Sequence, residues 1–261
     1  MSTGHEAMIE IYCKQLKLPG LRKAFLSTVR EARDSGQDYA AFLCGCLAQE
    51  VESRRQSALR NRLGQARFPW VKTLETFDFT AMPSLAKSKI TALADGSFVR
   101  NKENLVLVGQ TGTGKTHIAI ALGIAAIAAG YRVRFTSAVA LSQDLLQAQA
   151  ETRLNRLLKS WDRYDLVILD ELGYLGLGPG GPLLFQFCAQ RYERRSVAIT
   201  TNLEFSRWVE VFGDPSLTTA LLDRLTHRAK ILVFNGQSYR FRESQQQSLQ
   251  DGPTAPSNST Q

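Results

Sequence analysis

Asn104 to Ile118 reads N-L-V-L-V-G-Q-T-G-T-G-K-T-H-I: an apolar run, a glycine-rich turn and the opening of an apolar helix. Leu105 to Val108 have the unbroken apolar character of a buried strand. Gly109, Gly112 and Gly114 keep the turn free of Cβ atoms, so that successive backbone N–H groups can wrap a di- or triphosphate. The anion would then sit at a helix N-terminus, where free N–H groups and the helix dipole favour negative charge. Lys115 can reach the terminal phosphates, and the Thr116 hydroxyl can ligate Mg²⁺. The spacing G-x-x-x-x-G-K-T is filled from Gly109 through Gln110, Thr111 and Thr113 to Thr116, with a strand before it and a helix after. A nucleotide is the expected ligand.

Outward from this turn, strand and helix alternate as far as residue 234. A helix from Ser84 to about Asp95, closed by Gly96, precedes the first strand; Arg132 to Thr136, Leu166 to Leu169, Val197 to Thr200 and Lys230 to Phe234 supply the others. The expected fold is α/β, a P-loop domain on a central parallel sheet. The third strand runs L-V-I-L into Asp170-Glu171. Beside a phosphate loop, Asp170 suits the Mg²⁺ shell, and Glu171 suits orienting and polarising the attacking water. The fourth strand ends Thr200-Thr201-Asn202, on the same sheet edge as the phosphate loop. Asn202 is there either to touch the γ-phosphate or the water, or simply to turn the chain. Arg224, in L-L-D-R-L, is either paired with its neighbouring acid or presented across a subunit boundary to another copy's γ-phosphate.

Residues 1–68 read as a separate helical domain. Ile9, Tyr12, Cys13 and Leu16 share a face, and Leu21, Phe25, Val29 and Ala32 recur at helical spacing after a break at Leu18-Pro19-Gly20. Asp38 then caps a third helix with Phe42, Leu43, Cys46, Leu47 and Val51 on its apolar side. Phe68-Pro69-Trp70 ends the helical pattern, and Phe77-Asp78-Phe79 with Met82-Pro83 reads as an extended segment laid on the next domain, residues 69–243. A single helical stretch is expected from Ala138 to Asp162, and another helix from Leu183 to Arg195 whose terminal arginines answer the helix dipole. Gly176 to Pro182 reads as a connector without a helix N-terminus. Residues 244–261, rich in Gln, Ser, Pro and Asn, read as a disordered tail.

The net charge of +8 favours a polyanionic partner, and residues 1–103 alone hold 16 Lys/Arg against 11 Asp/Glu. No acid occurs between Ser53 and Leu74, where Arg54, Arg55, Arg60, Arg62, Arg67 and Lys72 fall. This run, and the face carrying Arg153, Arg156 and Lys159, are each either a solvated surface or a nucleic-acid contact, with an acidic protein partner a further possibility for the first. No apolar stretch is long enough to span a bilayer and no signal peptide opens the chain, so a cytoplasmic location without membrane association is expected. The four cysteines form no C-x-x-C pair, and neither they nor the three histidines are assigned a metal.

Six motifs together resemble the IstB family of AAA+ ATPases, transposition helpers related to the DnaC helicase loader. They are G-Q-T-G-T-G-K-T-H-I-A at 109–119, I-L-D-E-L-G-Y-L at 168–175, R-Y-E-R-R-S at 191–196, I-T-T-N-L at 199–203, V-F-G-D-P at 211–215 and L-L-D-R-L at 221–225. The resemblance implies Walker A at Gly109–Thr116, Walker B at Asp170 and Glu171, sensor I at Asn202 and an arginine finger at Arg224. It also implies ATP and Mg²⁺ as cofactors. The function implied is an oligomer assembled on double-stranded DNA that selects or remodels target duplex and works with a partner transposase; the alternative is a DnaC-like loader of a replicative helicase. The N-terminal helices would be the partner or assembly module. With so little sequence after the last strand, the C-terminal helical lid of many AAA+ proteins is not expected here.

Overall fold

The computed structural model of the chain describes residues 4–83, 85–174, 176–236 and 238. The expected tail 244–261, the segment Tyr239 to Arg242 and the question of a C-terminal lid fall outside the described residues. The chain divides into two compact units, Met1–Arg62 and Leu63–Gln261. The division lies inside a helix, six residues before the change of pattern that the sequence marks at 68.

The first unit holds α1 (Gly4–Gln15), α2 (Pro19–Ser35) and most of α3 (Tyr39–Ala66). Pro19 opens α2 where its missing N–H costs nothing, and Gly36, at φ 62°, closes it in the left-handed conformation. Asp38 caps α3 by accepting the Ala41 N–H at 2.8 Å. The unit is organised around buried Glu50. Its Oε2 accepts the N–H groups of Gly20 and Leu21 in the first turn of α2, and Arg54 Nε meets Oε1 at 2.7 Å. Both oxygens are therefore satisfied, which is what lets a carboxylate stay buried. The expected apolar face of α3 is only partly covered: Cys46 is buried, but Leu43, Leu47 and Val51 are exposed. The other two helices of this unit, α1 and α2, leave one side of α3 uncovered, and its remaining apolar side chains face outward.

The second unit is built on β1 (Asn104–Gly109), β2 (Val133–Ser137), β3 (Leu166–Leu172), β4 (Ser196–Thr201) and β5 (Ala229–Phe234), all parallel in the order β2-β3-β4-β1-β5. The expected strands are all present. Short helices α4 (Lys87–Leu93) and α5 (Ser97–Arg100) precede β1, and α6 (Lys115–Ala128) joins β1 to β2. Gly123 of α6 is a close-approach position: a Cβ there would lie 2.8 Å from Ile168 Cδ1 on β3 and 3.0 Å from Phe68.

Between β2 and β3 the structure has two helices where the sequence suggested one: α7 (Ala138–Ala150) and α8 (Leu154–Trp161), separated by Thr152 at φ 55°. The reason is phase. Leu141, Leu145 and Ala148 are buried, and an unbroken helix would continue that face through Thr152, Asn155 and Lys159. Breaking the helix instead turns Leu158 and Trp161 inward.

The glycine segment is likewise more than a connector. Gly178–Gly180 form a 3-10 turn that runs directly into α9 (Gly181–Arg191). A Cβ on Gly181 would lie 3.0 Å from the Phe212 carbonyl oxygen, so this glycine allows close packing against α10 (Val209–Phe212). At the other end of α9, Arg191 is 2% exposed and donates to the carbonyls of Trp161, Tyr164 and Ser196. It fastens the starts of β3 and β4 to α8; the dipole of α9 is not its main partner. Burial pushes its guanidinium down to about 10, still protonated at neutral pH.

The last helix, α11 (Pro215–His227), is capped by Asp214. Its C-terminal end is held by Asn104, whose amide donates to the Leu225 carbonyl and accepts the Val197 N–H. One buried side chain thereby ties β1, β4 and α11 together.

Candidate functional site

The carboxyl ends of β1, β3 and β4 share one edge, where a cavity of about 540 Å³ opens. Thr111 to His117 form one wall, and Glu171, Tyr174, Thr200, Thr201 and Asn202 form another. Gly112 and Gly114 adopt φ of 80° and 91°, and a Cβ on Gly114 would lie 2.6 Å from Phe77. Both torsion and space therefore require glycine at 114. Thr113 Oγ1 donates to the Gln110 carbonyl at 2.7 Å and stiffens the turn.

Lys115 is buried, and its Nζ donates to the carbonyls of Gly109 and Gln110 at 2.7 Å each. Burial holds its pKa below the ordinary lysine value, with Asp170 and Glu171 opposing that shift. The ammonium is thus pre-positioned within the loop that would surround a phosphate.

Thr116 Oγ1 donates to Asp170 Oδ1 at 2.8 Å, and Thr200 Oγ1 donates to the same oxygen at 2.6 Å. Asp170 is buried one hydroxyl back from the cavity, while Glu171 is exposed on its wall. A hydroxyl and a carboxylate converging beside a phosphate loop fit Mg²⁺, a hard cation that keeps several waters and takes one or two protein oxygens. Among the described residues no group of three or more His, Cys, Asp or Glu is gathered to hold a metal by itself.

Sequence reasoning missed the third wall. Trp70, Lys72, Thr76, Phe77, Asp78, Ala81 and Met82 line the cavity beside the phosphate loop. His117 fastens this segment to α6: its Nε2 lies 2.8 Å from the Thr73 carbonyl and its ring meets Phe77 edge-on at 5.1 Å. Burial holds the His117 pKa below its ordinary value. Asp78 shapes the turn by accepting from the Thr80 and Ala81 N–H groups. The available signal was a cluster of aromatics without helical or strand periodicity, upstream of the strand that leads into the phosphate loop. Its flat apolar surfaces suit a nucleobase.

Arg224 stands apart. It is exposed on α11, does not line the cavity, and makes no ion pair among the described residues, Asp223 included. Its guanidinium lies over the Phe185 ring at 5.7 Å.

The chain resembles known proteins in sequence and in fold. The pattern of the family described as IstB-like ATP binding protein matches residues 11–247. The chain belongs to that family. An insertion sequence IS21 ATP-binding protein of Pseudomonas aeruginosa is 41% identical, with 95% of this chain and 94% of that protein covered. An IS5376 ATP-binding protein of Geobacillus stearothermophilus is 38% identical over 92% and 96%. Among solved structures, the DnaC helicase loader matches with a TM-score of 0.50 and 23% identity, covering 57% of this chain and 88% of that one. AMPPCP-bound DnaA from Aquifex aeolicus gives 0.52 and 21%, over 71% and 57%. These two likenesses establish the AAA+ fold. This IstB-like chain is accordingly an ATP-binding P-loop ATPase.

Proposed function

We propose that this ATPase serves DNA transposition: copies assemble on double-stranded DNA in the cytoplasm, hydrolyse ATP between subunits and work with a partner transposase on the target duplex. The insertion-sequence names of its relatives favour this over helicase loading. In this reading the Gly109–Thr116 loop holds the phosphates and the Trp70–Met82 wall holds the base. Thr116 and Asp170 hold Mg²⁺, which supplies charge neutralisation on the phosphates when bound. Glu171 polarises water, Asn202 touches the γ-phosphate or that water, and Arg224 acts on a neighbour. The observation that carries the reading is the separation within one chain. Lys115, Thr116, Asp170 and Glu171 converge at one cavity edge, while Arg224 lies on a helix outside that cavity.

The first test is Lys115→Ala. Removing the cation over the terminal phosphates deletes charge-assisted hydrogen bonds, so ATP affinity should fall by roughly 100-fold. Equilibrium titration with a fluorescent ATP analogue reads this directly, and wild-type affinity would remove the phosphate-loop assignment.

DNA binding is expected to be independent of sequence and to weaken steeply with salt, because Lys and Arg release condensed counterions from the duplex. Each basic face has an engaged arginine and keeps exposed cations, Arg60 on α3 among them. Arg54 is held by Glu50, and Arg153 pairs with Glu151, whereas Arg156 and Lys159 are exposed on α8. Neutralising Arg156 and Lys159 together should flatten the plot of log affinity against log salt by about 1.8, roughly 0.9 per lost contact. An unchanged slope would remove α8 from the interface.

A further inference from the structure

Thr200 sits where β3 and β4 lose their register. Leu169 pairs with Ile199 and Leu172 with Thr201, so Asp170 and Glu171 together face the single residue Thr200. This is a bulge in a parallel pair, with Glu171 at φ 59°. A β-carbon-bearing residue in the left-handed region is strained, and persists only where its surroundings over-determine it. The hydroxyl of Thr200 provides that restraint. It accepts the Glu171 N–H at 2.9 Å and donates its proton to Asp170 Oδ1 at 2.6 Å. Thr200 is 1% exposed, so water cannot readily replace either bond.

In a regular strand successive side chains point to opposite faces, and Glu171 would turn away from the side occupied by Asp170. The bulge keeps Glu171 on the cavity wall although Asp170 is its neighbour in sequence. The geometry points to Thr200 as the positioning residue for Glu171, its hydroxyl linking the Asp170 carboxylate to the backbone that aims the catalytic carboxylate. This rests on the reading of Glu171 as the group that polarises water. Thr200 borders the cavity, but its hydroxyl is committed to the Glu171 N–H and to Asp170, and in this role it acts through Glu171.

The test compares Thr200→Val, which keeps the shape and removes the hydroxyl, with Thr200→Ser, which keeps the hydroxyl. Thr200→Val should lower kcat roughly 10- to 100-fold, the scale expected for misplacing a catalytic group by about 1 Å. KM for ATP and the half-saturating Mg²⁺ concentration should move less than about 3-fold, because the phosphate loop and Asp170 still hold them. Thr200→Ser should recover most of the lost rate. In the nucleotide-free protein the Glu171 amide should exchange with solvent faster in Thr200→Val, measured by NMR hydrogen exchange. In a Glu171→Gln background, Thr200→Val should cause no further slowing, since two residues acting as one unit are not additive. A slow Glu171→Gln variant beside a fast Thr200→Val variant overturns this proposal alone. So does a further slowing in the Gln background, or a loss that raised Mg²⁺ fully restores, because Thr200 would then act through Asp170. Wild-type turnover by Glu171→Gln overturns the reading of Glu171 and the proposal with it.

Discussion

Glu171→Gln is expected to bind ATP and Mg²⁺ with near wild-type affinity and to hydrolyse ATP slower by a factor on the order of 10² or more. The amide is close in shape to the carboxylate but cannot take a proton from water. Binding should survive because Glu171 makes none of the loop's hydrogen bonds: Lys115 is held by the Gly109 and Gln110 carbonyls, and Thr116 by Asp170. The backbone of residue 171 should also keep its place, since its restraint is a main-chain bond to Thr200. If assembly on DNA follows the ATP-bound state, this variant should stay on the duplex long after wild type has released it. Single-turnover phosphate release and a DNA dissociation trace measure the two effects. Undiminished phosphate release would move the catalytic role to another residue.

The parts of the site that could be read from sequence are those whose chemistry is local in the chain. Gly109 to Thr116 specify a loop by spacing alone, and L-V-I-L-D-E specifies a buried strand that ends in acids. What escaped depends on partners distant in sequence. The left-handed conformation of Glu171 is invisible without Thr200, 29 residues on. The wall from Trp70 to Met82 has no period of its own because it is shaped by α6, through His117, rather than by a ladder of its own.

Helix limits show the same division between local and distant causes. The cap at Asp38 is a one-residue signal and is found where the sequence put it. The break at Thr152 is not a breaker residue but a phase change, which becomes apparent only when the buried positions of α7 are projected forward. Arg191 reads as a cation at a helix end, yet its three carbonyl partners come from two other segments and its own strand connection. The limit of the N-terminal unit falls inside α3, where no change of composition marks it.

Arg224→Ala is expected to fold, to bind ATP with wild-type affinity, and to lose DNA-stimulated hydrolysis by about 10³-fold, the lower range for an arginine finger. The lost interaction is with developing charge on the transferring phosphoryl group of another subunit, so it should be absent from an isolated chain's affinity. Folding should be unaffected because the side chain is exposed, and its recorded partner is the half-buried Phe185 ring. Leu225, the next residue, keeps the end of α11 in place through Asn104. Mixing Arg224→Ala with Lys115→Ala discriminates the alternatives. The first variant has an intact phosphate loop, the second an intact arginine, and an interface that combines the two good halves should hydrolyse ATP. Recovered DNA-stimulated turnover in the mixture, from two inactive preparations, is the expected result. If mixed assemblies form on DNA and stay inactive, or if Arg224→Ala alone turns over like wild type, the trans assignment fails. Arg224 is then an exposed helix residue stacked on Phe185, and the missing positive charge must come from elsewhere on the molecule.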